Sequence, residues 1–456
     1  MKIDFKHHQE TQALINQFGY QCIDALKSIM DQTNEVDEIN LVKIFFHELV
    51  CLFTSTYITT ISKKINHNKS QLPFVNSAFI NDPNHYEIID KTKNKTSLIY
   101  HLFQLNFWSK KTLWIAPSLR KEEKRILFKK ALTHQIRLVK DQKIAVNQTK
   151  IDLFYKNISQ LSTELKLPLT KSHFDSISLY FNQFLSQEDQ YKKGILFNGT
   201  NTKIQSRVAA ASFLQNKQKV ISFGHGDASI SVFEEPVFDY GEQWFSTSFV
   251  DFGRTPKEIE YIRLKIIKRT SSRVKSLYEK KIKAKTRGKY LYVPTSMSDY
   301  FHYAPYRNFY DQYYSDWQQV LIEGLEKSGI DFKVALHPKT KTTYDYISKN
   351  TIEHRSLEWC FKNYDILIFD YVSTTLTEAL ATQNKIIFFD LGNRKISSAA
   401  IDRIKQDAQY KKIEFDQDIT PQIISTVKQS KKRDFSYINA YSINGEDINK
   451  IINKII

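Results

Sequence analysis

Three short polar clusters in this 456-residue chain each follow an apolar run, and each carries side chains suited to a proton or a phosphate. The first is Gly224–His225–Gly226–Asp227, after Val220–Phe223 (VISF). Glycines on both sides of a histidine let the backbone turn sharply and a ligand come close. His225 and Asp227 can then serve as a general base or a nucleophile. The plainer alternative is a turn bearing two exposed polar residues. The second cluster is His337–Pro338, after Phe332–Leu336 (FKVAL). A proline ends a strand ladder and keeps the residue before it extended, which fixes where the imidazole points. From there it can donate to a phosphate oxygen, more strongly when protonated. Its plainer alternative is a strand-end cap. The third is Ser373–Thr374–Thr375, after Asp365–Phe369 (DILIF) and before the helix-forming LTEALAT. The free N–H groups and partial positive charge of a helix start suit a phosphate, and the hydroxyls add donors. Thr375 and Glu378 also fit an S/T-x-x-E capping box, which is compatible with phosphate binding.

The apolar runs before these clusters alternate with helical patterns. Lys289–Val293, Phe332–Leu336, Asp365–Phe369 and Lys385–Phe389 read as strands; Tyr313–Lys327, Leu357–Asn363 and Thr375–Thr382 read as helices. Upstream, Leu113–Ala116, Gly194–Phe197 and Val220–Phe223 read as strands, and Lys121–Lys140 and Ser206–Leu214 as helices. Short apolar strands alternating with helices imply parallel βαβ units. In an open parallel sheet, ligands bind beyond the carboxyl ends of the strands. Asn198, after Gly194–Phe197, and Thr295, after Lys289–Val293, therefore join the candidate donor-binding set with His337, Pro338, Ser373, Thr374 and Thr375. The two βα series, split by a basic segment, predict two α/β domains. Residues 1 to about 65 carry a 3-to-4 spacing of apolar residues, such as Val42, Phe45, Phe46, Leu49 and Phe53, and read as helices. Residues 66 to about 95 read as loop.

Composition narrows the class. Hydrophobic residues make up 41% and charged residues 25%, as in a globular chain with a sizeable core. Gly (12) and Pro (10) are scarce, which argues against long flexible linkers. Cys22, Cys51 and Cys360 have no paired spacing, which speaks for a reducing compartment. No apolar h-region opens the chain, and the apolar stretch between Glu48 and Lys63 is too short to span a bilayer. It reads as a buried helix. The net charge is +17, and Lys257–Lys289 holds 13 Lys+Arg against 3 Glu. Ile259, Ile262, Ile266, Ile267, Val274, Leu277 and Tyr278 recur there at helical spacing. A basic amphipathic segment suits an anionic membrane surface; the alternative is a solvated helix face. No zinc-finger spacing, RNP-like motif or heptad run supports nucleic acid as a partner. GxGxxG, Walker A and HExxH motifs are absent, and the one Asp-x-Asp, Asp416–Asp418, reads as loop, so no metal and no cofactor are expected.

Two long stretches carry a resemblance. ILFNGTNTKIQSRVAAASFLQNKQKVISFGHGD, followed by EEPVFDYGEQWFSTSFVDFG, resembles the bacterial surface-carbohydrate biosynthesis transferases. VALHP and YDILIFDYVSTTLTEALATQNKIIFFD are similar to the HP and Ser/Thr motifs of GT-B glycosyltransferases, found in bacterial sialyltransferases, Kdo transferases and CDP-glycerol glycerophosphotransferases. The resemblance covers roughly residues 190 to 395. It implies a GT-B-like fold, a cytidine-nucleotide donor held by His337 and Ser373–Thr374, and His225 of the HG turn as a candidate base. The acidic D/E-D/E-G motif of sialyltransferases has no clear copy, which argues against a plain sialyltransferase.

The expectation is an α/β, GT-B-like chain of two Rossmann-like domains facing a cleft, with extra N-terminal helices. Its divisions are 1–255 on the acceptor side, 256–430 on the nucleotide-donor side and a tail helix over 431–456. Its activity is metal-independent glycosyl transfer from a CMP- or CDP-linked donor to a glycan or glycolipid acceptor of a surface polysaccharide such as capsule or lipopolysaccharide. The expected place is the cytoplasm, with a peripheral position on the inner face of the membrane. Transfer of an alditol phosphate on the same fold, and non-catalytic binding of nucleotide sugars, are the alternatives.

Overall fold

The computed structural model describes residues 3–31, 41–46, 48–50, 52–54, 56–57, 111–116, 119–130, 133–139, 143–167, 169–188, 193–199, 201, 204–224, 244–253, 265–295, 311–338, 340, 345–348, 351–392, 395–429, 431 and 433–456. The strands are Thr112–Ile115 (β1), Gln135–Leu138 (β2), Ile144–Ala145 (β3), Leu185–Ser186 (β4), Ile195–Asn198 (β5), Lys219–Phe223 (β6), Ser248–Asp251 (β7), Lys265–Lys268 (β8), Tyr290–Tyr292 (β9), Phe332–Val334 (β10), Ile366–Phe369 (β11), Lys385–Asp390 (β12) and Gln409–Lys412 (β13). Two larger parallel sheets form, in the orders β2-β1-β5-β6-β7-β8 and β10-β9-β11-β12-β13, and β3 pairs with β4. The chain is thus α/β with two parallel sheets and N-terminal helices.

Each sheet is apolar on both faces, as helices on both sides require. Along β1 the pleat sends Leu113 and Ile115 to one core and Trp114 to the other. The first core also takes Phe197, Ile221, Phe223 and Val250 of the sheet, and Leu127 of the helix Lys121–Lys129. In the second sheet Leu291 and Leu367 face one way. Tyr292, Ile368, Ile387 and Phe389 face the other, against Trp317 of the helix Asp311–Lys327 and Ile423 of the helix Ile419–Val427. Before β5, Gly194 sits at φ +136° and a side chain there would strike the Thr112 carbonyl, so only glycine fits.

The N-terminal helix Phe5–Asp31 bridges both halves. Phe5 and Ile15 pack with the second sheet's core, whereas Phe18, Cys22 and Leu26 join the cluster that includes Trp114 and Leu196. His8 Nε2 lies 2.6 Å from Asp316 Oδ2 and stacks on Tyr313. Leu49, Val50, Leu52 and Phe53 are buried as expected. No described helix is long and apolar enough to cross a membrane.

Four expectations change. The helix from Lys121 stops at Lys129, and Gln135–Leu138 is a strand whose Ile136 and Leu138 alternate with polar residues. Ile266 and Ile267 lie in β8, not on a helix; a β-branched pair between lysines makes a charged edge strand. Only Ser272–Glu279 of the basic segment is helical. Because β8 belongs to the first sheet, that sheet continues past residue 255. The segment 431–456 is not one helix: Ser436–Ile443 is helical, and a second helix, Ile448–Ile455, returns to the first sheet and buries Ile448, Ile451 and Ile452 there. Glu446 anchors the return, since its N–H donates to Lys268 O (3.0 Å) and its carbonyl accepts from Thr270 N–H (2.9 Å). Gly445 permits this approach, because a side chain would strike the Arg269 backbone. The expected loop over 66–95 lies outside the described residues.

Candidate functional site

Six of the seven donor-side candidates follow strands of the second sheet, at its carboxyl edge. Thr295 follows β9, His337–Pro338 follows β10, and Asp370–Thr375 follows β11. The order β10-β9-β11 makes these strands neighbours, and all run parallel. Adjacent strands lie about 4.8 Å apart, so the three loops span ~10 Å of one edge.

His337 is half-buried and its carbonyl accepts from Thr340 N–H (2.8 Å), which turns the chain after Pro338. Pro338 is exposed. Ser373 is extended and caps the six-residue helix Thr374–Ala379. Its Oγ accepts from Leu376 N–H at 3.1 Å, so the cap is Ser373 rather than the expected Thr375 with Glu378. Glu378 instead meets Arg273 Nε at 3.4 Å. Thr374 and Thr375 are half-buried beside it. Thr295 is almost fully buried, and its N–H donates to Tyr314 Oη at 2.9 Å.

Beneath this edge lies Asp370, directly after β11 and outside the set of sequence candidates. It is 1% exposed and accepts from Tyr292 Oη (2.5 Å), Trp317 Nε1 (2.9 Å) and Tyr314 Oη (2.9 Å). Burial pushes its carboxyl up to about 6, against the opposing pull of the Tyr292, Trp317 and Tyr314 donors. Burial, then the Asp370 charge, holds both tyrosines well above their ordinary range, so they remain donors. One strand further on, Asp390 ends β12 and accepts from Tyr410 Oη (2.5 Å) and Gly392 N–H (2.9 Å).

The first sheet's carboxyl edge is built differently. Asn198 lies on this sheet, apart from the other donor-side candidates. It ends β5, is fully buried, and bonds to Asn201 Oδ1 and Ser206 O. Asn201 continues to Ser222 Oγ, which accepts from Ser246 Oγ (2.6 Å). This network ties β5 to β6 under the edge. At the end of β6, Gly224 N–H donates to Val250 O, and Gly224 O accepts from Arg120 Nη2 (2.7 Å). A side chain at 224 would press on Asp251 Oδ1, so glycine lets Asp251 pack there. Arg120 and Arg269 both lie over the Phe252 ring, at 5.4 and 4.7 Å from its centroid. His225 and Asp227 lie outside the described residues, as do Glu234, Glu235 and Asp239.

Among the described residues, no group of three or more His, Cys, Asp or Glu is placed to hold a metal ion. Cys360 is buried, and burial lifts its thiol to about 12.

No family model and no curated protein matches the chain. Solved structures similar to it include S. aureus MnaA with UDP, at 10% identity and a TM-score of 0.39, covering 76% of this chain and 95% of that one. The kitacinnamycin glycosyltransferase matches at 9% identity and a TM-score of 0.37, covering 70% and 89%. The spinosyn forosaminyltransferase SpnP matches at 9% identity and a TM-score of 0.32, covering 70% and 90%.

Proposed function

We propose that the chain is a glycosyltransferase that moves a sugar from a nucleotide donor, of cytidine type, to a cell-surface glycan or glycolipid acceptor. One observation supports the reading: Thr295, His337–Pro338 and Ser373–Thr375 each follow one of three adjacent parallel strands, at their carboxyl ends. That edge is where open α/β sheets bind ligands, and its side chains suit a phosphate. The resemblance of the HP and Ser/Thr motifs supports the cytidine type.

In the proposed reaction the acceptor hydroxyl gives its proton to His225 or Asp227, and its oxygen attacks the anomeric carbon. The bond from that carbon to the phosphate oxygen breaks, and the electron pair stays on the nucleotide. His337 and the hydroxyls of Ser373 and Thr374 stabilise that developing charge. If configuration is retained, Asp227 is the nucleophile instead. Product mass after incubation with CMP-sugar, UDP-sugar and CDP-glycerol, each with a glycan acceptor, tests the reading. A gain of one sugar residue supports it; a gain of glycerol phosphate overturns it in favour of alditol-phosphate transfer.

A place at the inner face of the membrane is part of the proposal. Its support is a loop rather than an amphipathic helix. Lys280, Lys281, Lys283, Lys285, Arg287 and Lys289 are exposed between the helix Ser272–Glu279 and β9. The loop enters the amino end of β9, opposite the candidate edge. Each cation near an anionic surface contributes about 1 kcal/mol, less at high salt. Co-sedimentation with anionic vesicles is expected to exceed that with neutral ones and to fall when these six become Gln. Equal binding to both lipids contradicts it.

A further inference from the structure

We propose that Asp370 is the positioning residue of the nucleotide edge, holding Thr295 through the Tyr314 hydroxyl and Ser373 through the chain it begins. The inference rests on the donor-binding reading above and adds a residue that would not touch the nucleotide.

The geometry is a relay with a direction. Thr295 N–H donates to Tyr314 Oη, and the same hydroxyl donates its proton to Asp370. A hydroxyl has one proton to give, so the carboxylate decides which way it points. With that proton committed to Asp370, the oxygen lone pairs face Thr295 and fix the chain leaving β9. Tyr292 and Trp317 occupy Asp370 Oδ2 from β9 and from the helix Asp311–Lys327. Asp370 is therefore pinned by two elements while it begins the loop that carries Ser373. A core that only needed filling would gain from an apolar residue here. Burying a carboxylate among neutral donors costs free energy that packing alone does not return. What the carboxylate adds is orientation, and a phosphate site depends on oriented donors.

Two conservative variants separate positioning from plain stability. Tyr292→Phe and Tyr314→Phe each remove one hydroxyl donor to Asp370 from a fully buried ring. Only Tyr314→Phe also releases Thr295 N–H. Both are expected to lower the melting temperature by similar amounts. In calorimetry with CMP, CDP and UDP as probes, Tyr314→Phe is expected to weaken the preferred nucleotide by about threefold to tenfold. Tyr292→Phe, which loosens Asp370 but leaves Thr295 N–H bonded to Tyr314 Oη, is expected to weaken it distinctly less. Equal affinity in both variants overturns the proposal. A wild type that binds none of the three probes overturns the donor reading itself, a separate outcome. Should Tyr314→Phe not fold, hydrogen exchange on the unmodified chain decides. Added nucleotide is expected to slow exchange at Thr295 N–H, and unchanged exchange there contradicts the proposal.

Discussion

Replacing His225 by Ala or Asp227 by Asn is expected to leave nucleotide binding near wild type while turnover falls at least about 10²-fold for the variant that removes the base. The proposed reaction divides its labour between the two sheets. Both residues follow β6, whose last described neighbour, Gly224, is held by Arg120 and Val250 on the first sheet. The phosphate-handling candidates follow β9, β10 and β11 on the second. A group that acts only in the transition state lowers kcat and leaves the donor's KM alone. His225 carries more of the expectation, since the HG resemblance falls on it. Ser373→Ala is the control with the opposite signature: weaker donor binding, because its hydroxyl is one of the proposed phosphate donors. It also costs about 1 kcal/mol of helix capping. If both first-sheet variants turn over normally, the base lies elsewhere, with Glu234, Glu235 and Asp239 next.

A second large effect is expected at Arg269, where the chain leaves the first sheet. Its Nη1 lies 2.5 Å from Glu123 Oε1, and the two side chains are 1% and 0% exposed. Arg269 Nε and Glu123 Oε2 have no hydrogen-bond partner among the described residues, so the pair is only partly compensated. Arg269→Met strands the Glu123 carboxylate in the core and removes the guanidinium from the Phe252 face. Breaking a buried pair from one side costs about 3–5 kcal/mol. Adding Glu123→Leu removes the stranded charge and is expected to recover most of that loss. Urea unfolding of the two single variants and the double variant checks it. A single loss under about 1 kcal/mol, or fully additive losses, contradicts the account.

The sequence exposes some of this architecture plainly and hides other parts for physical reasons. Asp365–Phe369 and Lys385–Phe389 are apolar because both faces of β11 and β12 are covered, and such runs announce themselves. The helix Leu357–Asn363 is legible to the residue. Lys265–Lys268 is not, because its isoleucines continue a helical spacing and its lysines suit an edge strand as well as a helix face. Ile448, Ile451, Ile452 and Ile455 signal an amphipathic helix, but not that it docks on the first sheet. His337, Thr295 and Ser373 are legible as strand-end residues. Asp370 stands in the same motif, yet its partners are 78, 56 and 53 residues away, and no local pattern joins them. The burial of Asn198 is hidden for the same reason. A polar residue after a strand reads as rim until Asn201 and Ser206 close over it.

One edge of the second sheet is proposed to hold a nucleotide phosphate through His337. Calorimetry of the wild type and His337→Ala with CMP, CDP, UDP and GDP tests it most directly. The wild type is expected to prefer a cytidine nucleotide. His337→Ala is expected to keep its fold and lose about 1.5–3 kcal/mol of that affinity, the worth of a hydrogen bond to a charged group. Tight binding that is unchanged by His337→Ala, or no binding of any of the four, would contradict the account.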